Sequence, residues 1–495
     1  MSLLADTIQP DIAGHKSVQE YIDELPVWSD GTTLKSSPMT GMQWRIWSLA
    51  AAGKFFEGFV VFMTGVALPL IVREFHIGAT EKGIVSAASL AGILFGAVLL
   101  GGLSDYFGRK RMFIAEMFVF VAFLAVLILC NDFISVSICL FGLGLALGCD
   151  YPTAHMIISE NIPSLNRGKF VLAAFGFQAL GALAGTGVGC VVLVLHPQLN
   201  AWRWMYATVL IPALIVTIGR FFVVESANWL AVHGEHDEAE KSITRLLARS
   251  PPYPKAIKLR STSTAGRTEH RTRRSFLALF SSRNRRATIF ASVPWFIQDL
   301  STYGIGIFTP VILAVAIGNK SDHIRSFSDM ISDNIIAAQG AALIDVLLIV
   351  GIVFAVLLAD KVGRIWLQIV GFVGCAVGLF LATLSAEVSG PARLALIVSG
   401  FMLFNFMTNL GPNAQTYLIA GEVFPTEVRG MGAGFAAAFA KVGAVTTAFL
   451  FPILLSSIGT SALLWCLVVA SLLGAVVTWN YRIETTGLSL DQVGQ

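Results

Sequence analysis

Trp295, Asp299 and Tyr303 stand four residues apart in a stretch otherwise apolar enough to cross a membrane. Positions i, i+4 and i+8 share one stripe of a helix, so an acid is flanked by two hydrogen-bonding aromatics. Asp150, Gln178 and Lys441 interrupt other strongly apolar segments. An ionisable side chain at mid-bilayer costs roughly 2.5–3.5 kcal/mol on insertion scales, so each needs a partner or a use. Several in one chain point to a polar path through a membrane protein. Lys441 supplies positive charge, while Tyr, Trp and Gln supply donors without adding charge, a combination suited to an anion.

The rest of the chain agrees with that setting. Of its 495 residues, 55% are hydrophobic and only 13% charged, and the mean hydropathy is +0.73. A net charge of +3 is too small to imply nucleic-acid binding. Cys130, Cys139, Cys149, Cys190, Cys375 and Cys466 all lie in apolar segments without a CxxC pair, which predicts buried small hydrophobes rather than disulfides or metal ligands. Residues 1–40 are polar and acidic, with no basic stretch leading into an apolar run, and do not read as a signal peptide. No metal cluster, nucleophile elbow or nucleotide loop suggests an enzyme.

Runs of about 20 apolar residues predict an all-α integral membrane protein with twelve spans. They fall near 46–73, 83–103, 112–130, 134–159, 169–195 and 203–224, then 288–317, 340–359, 366–386, 393–420, 430–456 and 461–481. This divides the chain into a tail (1–45), a six-helix half (46–224), a connector (225–287), a second half (288–481) and a short tail (482–495). The glycines of Gly142-Leu-Gly144 and of Gly181 to Gly189 would let helices approach closely.

The long connector ends in Arg271, Arg273, Arg274, Arg283, Arg285 and Arg286. Connectors 2–3 (Arg109, Lys110, Arg111), 4–5 (Arg167, Lys169) and 8–9 (Lys361, Arg364) add cations. The positive-inside rule then places both termini in the cytoplasm. Arg73, Lys82, Arg203, Lys320 and Arg325 lie on the opposing side, so the even span count and the basic connector decide the orientation. Asn319-Lys320-Ser321 on that opposing side fits a glycosylation sequon.

The halves repeat. Asp105-Tyr-Phe-Gly108-Arg109 after the second span matches Asp360-Lys-Val-Gly363-Arg364 after the eighth. Glu160 precedes Arg167-Gly168 as Glu422 precedes Arg429-Gly430, by seven residues in each copy. Two matched pairs in register imply duplicated halves around a pseudo-two-fold, with a site between them at mid-membrane.

Gly101-Gly-Leu-Ser-Asp105-Tyr-Phe-Gly108-Arg109-Lys110-Arg111 resembles the loop signature of the major facilitator superfamily. Glu225-Ser226, Trp229-Leu230 and Glu484-Thr-Thr-Gly487-Leu-Ser-Leu-Asp491 resemble tags of its sugar-porter-like branch. The resemblance implies gating or structural roles for Asp105, Arg109, Glu160, Arg167, Asp360, Arg364, Glu422 and Arg429. Within the superfamily, Gly148-Cys-Asp150-Tyr151-Pro152, Gln178, the Trp295/Asp299/Tyr303 trio, Gly411-Pro412-Asn413 and Lys441 are similar to the pattern of phosphate:proton and metabolite:proton symporters. That implies Tyr151, Gln178, Trp295, Asp299, Tyr303, Asn413 and Lys441 around an oxyanion, with Glu57, Glu116, Asp150 and Asp299 moving protons. With no anion between them, Lys441 and Asp299 would pair.

Two positions depart from that pattern. Val60 stands where the family has a second acid on the first helix, and Leu140 where many relatives have an intramembrane Arg; Glu57 is expected to serve in place of the missing acid. The expectation is a monomeric transporter in the plasma or bacterial inner membrane that takes up a small anion with protons, inorganic phosphate first, without a cofactor. A carrier of a carboxylate or aromatic acid is the nearest alternative, and a non-transporting nutrient receptor a more distant one.

Overall fold

The computed structural model describes residues 16–25, 37–100, 103–249, 259, 276–317, 327–425 and 428–484, with a few side chains in those ranges left undescribed. Among them the chain is all-helical, apart from one isolated bridge between Lys16 and Leu259. Its long helices are α1 Gly41–Phe75, α2 Ala79–Leu100, α3 Arg109–Leu127, α4 Phe133–Asn161, α5 Arg167–Leu195 and α6 Ala201–Phe221. The second set is α7 Arg285–Ile317, α8 Phe327–Val362, α9 Arg364–Thr383 and α10 Pro391–Glu422, which is interrupted at Gly411. A continuous stretch, Arg429–Tyr481, departs from helical geometry at Gly459 (φ 78°, ψ 171°), which separates α11 (429–458) from α12 (460–481).

Ten of these helices, counting Arg429–Tyr481 once, are long and apolar enough to cross a membrane. α3 falls outside that number because Arg109, Lys110, Arg111 and Glu116 load its first half with charge. With α3 and the division at Gly459, the expected twelve-helix bundle is present. Large apolar side chains line the outside, among them Leu129, Ile211, Ile215 and Phe118, as a bilayer-facing surface requires. Cys466 is exposed on that surface, whereas the other five cysteines are buried as expected. Its neighbours Trp465 and Val469 are exposed too, so this side of α12 faces away from the core.

Helix ends follow their capping residues rather than the apolar runs. Thr40 and Gln43 form a reciprocal capping box, with Gln43 N–H donating to Thr40 Oγ1 at 3.2 Å, so α1 starts inside the segment expected to be tail. α8 begins at Phe327, well before residue 340, with Asp329 in its first turn, where an acid suits the positive end of the helix dipole. Asp132 caps α4 by accepting from Ser135 N–H at 2.9 Å, and that bond holds its carboxyl below the usual carboxylate range.

The two halves carry the same turn. Gly108 (φ 96°, ψ 151°) and Gly363 (φ 92°, ψ 145°) enter α3 and α9 in matching left-handed conformations, which glycine alone adopts cheaply. Arg109 then reaches Glu160 at 3.2 Å, and Arg364 reaches Glu422 at 3.0 Å. The repeated sequence has thus become a repeated ion pair. Arg109 also binds Asp105 at 2.9 Å, and Glu160 accepts from Ser226 Oγ at 2.5 Å.

Between the halves, α2 packs on α11, α5 on α8 and α1 on α7. Small residues set the closest approaches. A Cβ at Gly181 would lie 2.0 Å from the Phe55 carbonyl oxygen, so α1 and α5 touch backbone to backbone. The long connector carries helices Ala227–Val232 and His236–Leu246, which pack with the short helix Val18–Ile22 against the ends of α1, α4 and α5. The face bearing these elements is called here the tail face.

Candidate functional site

α1, α5, α7 and α11 meet at a buried polar cluster. Lys441 Nζ on α11 lies 3.1 Å from Asp299 Oδ2 on α7, the pairing expected of them. It also donates to Tyr303 OH at 2.9 Å and lies 3.6 Å from Glu57 Oε1 on α1. The Tyr303 hydroxyl accepts from Gln178 Nε2 on α5 at 2.9 Å and donates to Glu57 Oε1 at 3.2 Å. Gln178 reaches the same Glu57 oxygen at 3.3 Å. Lys441, Gln178 and Tyr303 thus share three oxygens, Asp299 Oδ2, Tyr303 OH and Glu57 Oε1, and the hydroxyl is fully used.

Lys54, which sequence reasoning passed over, completes the cluster. It lies one helical turn before Glu57 and holds Glu57 Oε2 at 2.6 Å, with only 8% of its surface exposed. Its position beside the quoted Phe55-Phe56-Glu57 was the available signal: a second charge at i−3 from an intramembrane acid belongs to the same problem. The cluster therefore contains two lysines and two carboxylates. Its formal charges cancel.

A chamber of about 20 Å³ adjoins it, lined by Phe62, Gln178, Gln298, Thr302, Tyr303 and Asn413 among others. That is room for about one water. Gln298 donates to Thr302 Oγ1 at 3.0 Å and leaves its own Oε1 without a partner. Asn413 donates to Asn409 Oδ1 at 2.7 Å, one turn back across the α10 break. Trp295 is buried toward the tail face, edge-on to Tyr417 at 6.2 Å. Tyr417 in turn stacks on Phe175 of the other half at 4.7 Å. Tyr151 lies on α4, and its side chain is outside the described residues, as are those of Asp360 and Arg429.

Glu116 and Asp150 belong to a second cluster. Both are held by Arg220 of α6, at 2.8 Å and 2.6 Å, and all three are buried. Arg220 also donates to the Phe113 carbonyl at 2.6 Å and stacks on the Phe113 ring at 3.5 Å. Sequence reasoning missed it because it occupies the penultimate position of α6, where an arginine ordinarily reaches solvent. The two clusters nearly touch, since a Cβ on Gly53, the neighbour of Lys54, would sit 1.7 Å from Asp150 Oδ2. Leu140 and Val60 are fully buried among apolar side chains. Asp150 thus obtains from α6 the cation that Leu140 on α4 does not supply. Arg167 turns away from Glu160 and donates to Gln19 Oε1 at 2.7 Å.

A third buried charged residue was also missed. Asp345 of α8 accepts from Asn405 Nδ2 at 3.2 Å and meets Thr186 Oγ1 of α5 at 2.8 Å, joining the halves. As the one acid within the apolar run expected at 340–359, it carried the same signal as Asp299.

Two pseudo-symmetric helical halves closed around a buried, charge-balanced cluster define a class: this chain is a membrane transporter with the major facilitator fold. Residues 47–495 match the family described as sugar (and other) transporter, and the chain belongs to it. It is 28% identical over 468 residues to an inner membrane metabolite transport protein of Escherichia coli, covering 92% of this chain and 95% of that one. It is 25% identical over 515 residues to a probable inorganic phosphate transporter of Arabidopsis thaliana, covering 94% and 96%. In structure it resembles the xylose transporter of Escherichia coli in a partially occluded inward-open conformation, with a TM-score of 0.71, 20% identity and coverage of 91% and 100%.

Proposed function

We propose that this transporter takes up a small anion together with protons, inorganic phosphate being the first candidate, with the tail face in the cytoplasm. The observation that carries this is the charge balance of the polar cluster beside the chamber. Lys54 and Lys441 offset Glu57 and Asp299, so an anion entering alone would leave uncompensated charge in a low-dielectric site. A proton on Asp299 or Glu57 restores neutrality and releases a lysine to the anion. Anion and proton then bind better together than apart, which is the linkage a symporter needs. Gln178 and Tyr303 contribute donors without altering the balance.

Phosphate is put ahead of an aromatic acid by the phosphate transporter among the relatives. In this reading the site opens alternately toward each face. Tyr417 on Phe175 closes it on the tail side, and the α1–α7 crossing closes it on the other. The working unit is a monomer in the plasma or bacterial inner membrane. A counterflow panel in proteoliposomes, with phosphate, sulfate, simple carboxylates and sugars, tests the proposal. Phosphate exchange stimulated by a proton gradient is expected; exchange of sugars alone would overturn it.

A further inference from the structure

On the face opposite the tail face, a cavity of about 650 Å³ opens between the ends of α1, α2, α7 and α8. Arg73 of α1, His76 just past its end and Lys82 of α2 line one side, with Asp333 and Asn334 of α8 opposite. Neither Arg73 nor Lys82 forms an ion pair within the described residues. Asn334 is only 8% exposed, and its Nδ2 has no hydrogen-bond partner. A buried donor left unmet in the wall of a cationic cavity is built for an acceptor that arrives from outside. The size suits a small ligand with its water.

The cavity stands over the chamber, and α1, α7 and α8 line both. Val311 in its wall is eight residues beyond Tyr303 on α7, about 12 Å at 1.5 Å per residue. Between them α1 and α7 close on each other. A Cβ at Gly65 would lie 2.3 Å from the Ile307 carbonyl oxygen, and one at Gly306 would lie 2.7 Å from the Phe62 ring. Whatever passes from this cavity to Lys441 must part that crossing.

We propose that this cavity is an outer capture site for the transported oxyanion, in which Arg73, Lys82 and the Asn334 amide hold it before the α1–α7 crossing opens. The inference rests on the anion and orientation readings above and adds a second site to them. Asp333 limits how tightly an anion is held, as a site that must release its ligand inward requires. Cationic lining of a cleft raises the local anion concentration and the rate of entry in a salt-dependent way.

The test compares phosphate uptake from each face in oriented proteoliposomes, for wild type, R73Q/K82Q and Asn334→Ala, at low and high ionic strength. The double variant should raise KM from the outer face about threefold or more at low salt, flatten its salt dependence, and leave KM from the tail face and the maximal rate unchanged. Asn334→Ala should raise the outer-face KM without altering the salt dependence. Unchanged outer-face KM in the double variant, or equal changes from both faces, would overturn the capture site. Wild type that carries only neutral solutes would overturn the anion reading and this inference with it; wild type that carries phosphate while the double variant matches it overturns this inference alone.

Discussion

Arg220 on α6 and Asp150 on α4 are joined at 2.6 Å, and the same guanidinium holds Glu116 of α3 at 2.8 Å. One cation thus fastens three helices of the first half at a point where none of the three charges meets water. Glu116 and Asp150 are held by structure before they can serve proton movement. Any proton they exchange must first loosen Arg220.

That relationship gives the first prediction. Arg220→Met would bury two carboxylates without their cation, and breaking a buried pair from one side costs about 3–5 kcal/mol. The purified variant should unfold at a clearly lower temperature than wild type. Arg220→Lys should recover only part of the loss, because an ammonium lacks the planar fork that spans two carboxylates. A wild-type melting temperature for Arg220→Met would show that the cluster contributes nothing to the fold.

Lys441 carries the second. If it neutralises the bound anion, Lys441→Ala should weaken phosphate binding about 10- to 150-fold, the range of a charged hydrogen bond of about 1.5–3 kcal/mol. Lys441→Arg should keep part of the affinity, since charge survives and shape does not. Lys54, 2.6 Å from Glu57, remains in both variants, so a complete loss is not required. Equilibrium binding of labelled phosphate to the purified variants decides; unchanged affinity in the Ala variant would remove the anion site from this cluster.

The bundle was legible in the sequence because its signals are local and repeated. Apolar length marks a span whatever its neighbours, and Gly108-Arg109 against Gly363-Arg364 showed the duplication directly. The charged residues were legible only where they interrupted an apolar run, as Asp299 and Lys441 do. Lys54 escaped because its neighbour Glu57 drew the attention, and Arg220 because its position in the chain is a helix end while its position in space is a core. Which acid meets which cation is decided by packing among α1, α3, α4 and α6, and one-dimensional spacing does not contain that. Asp345 was legible by the same rule as Asp299 and was passed over.

Proton coupling gives the third prediction. Asp299→Asn mimics the neutral carboxyl and removes a charge that offsets Lys441 at 3.1 Å. Anion exchange should persist in vesicles, while proton-driven accumulation against a phosphate gradient should fall to near the level of empty vesicles. Glu57→Gln leaves Lys54 without its anion, so it should lower thermal stability as well as accumulation. Normal pH-driven accumulation in the Asn variant would move the coupling to another residue.

The last prediction concerns the seam between α5 and α8. Thr186 has one hydroxyl hydrogen and two acceptors in reach, the Ala182 carbonyl at 3.0 Å and Asp345 Oδ2 at 2.8 Å. Asn405 Nδ2 supplies Asp345 Oδ1 at 3.2 Å. An asparagine at 345 can reproduce both contacts, donating to Thr186 Oγ1 while accepting from Asn405, so Asp345→Asn should keep the seam closed. Asp345→Ala removes the cross-half bond and leaves the Asn405 donor poorly met, a loss of about 1–3 kcal/mol. The chain carries its own reporter: Cys190 of α5 is buried, with its Sγ 3.9 Å from the Ile335 carbonyl of α8 in the same seam. In a Cys466→Ser background, which removes the exposed thiol, maleimide should label Cys190 severalfold faster in Asp345→Ala than in wild type or Asp345→Asn. Equal labelling rates in all three would mean that α5 and α8 are held together by apolar packing, with Asp345 a bystander.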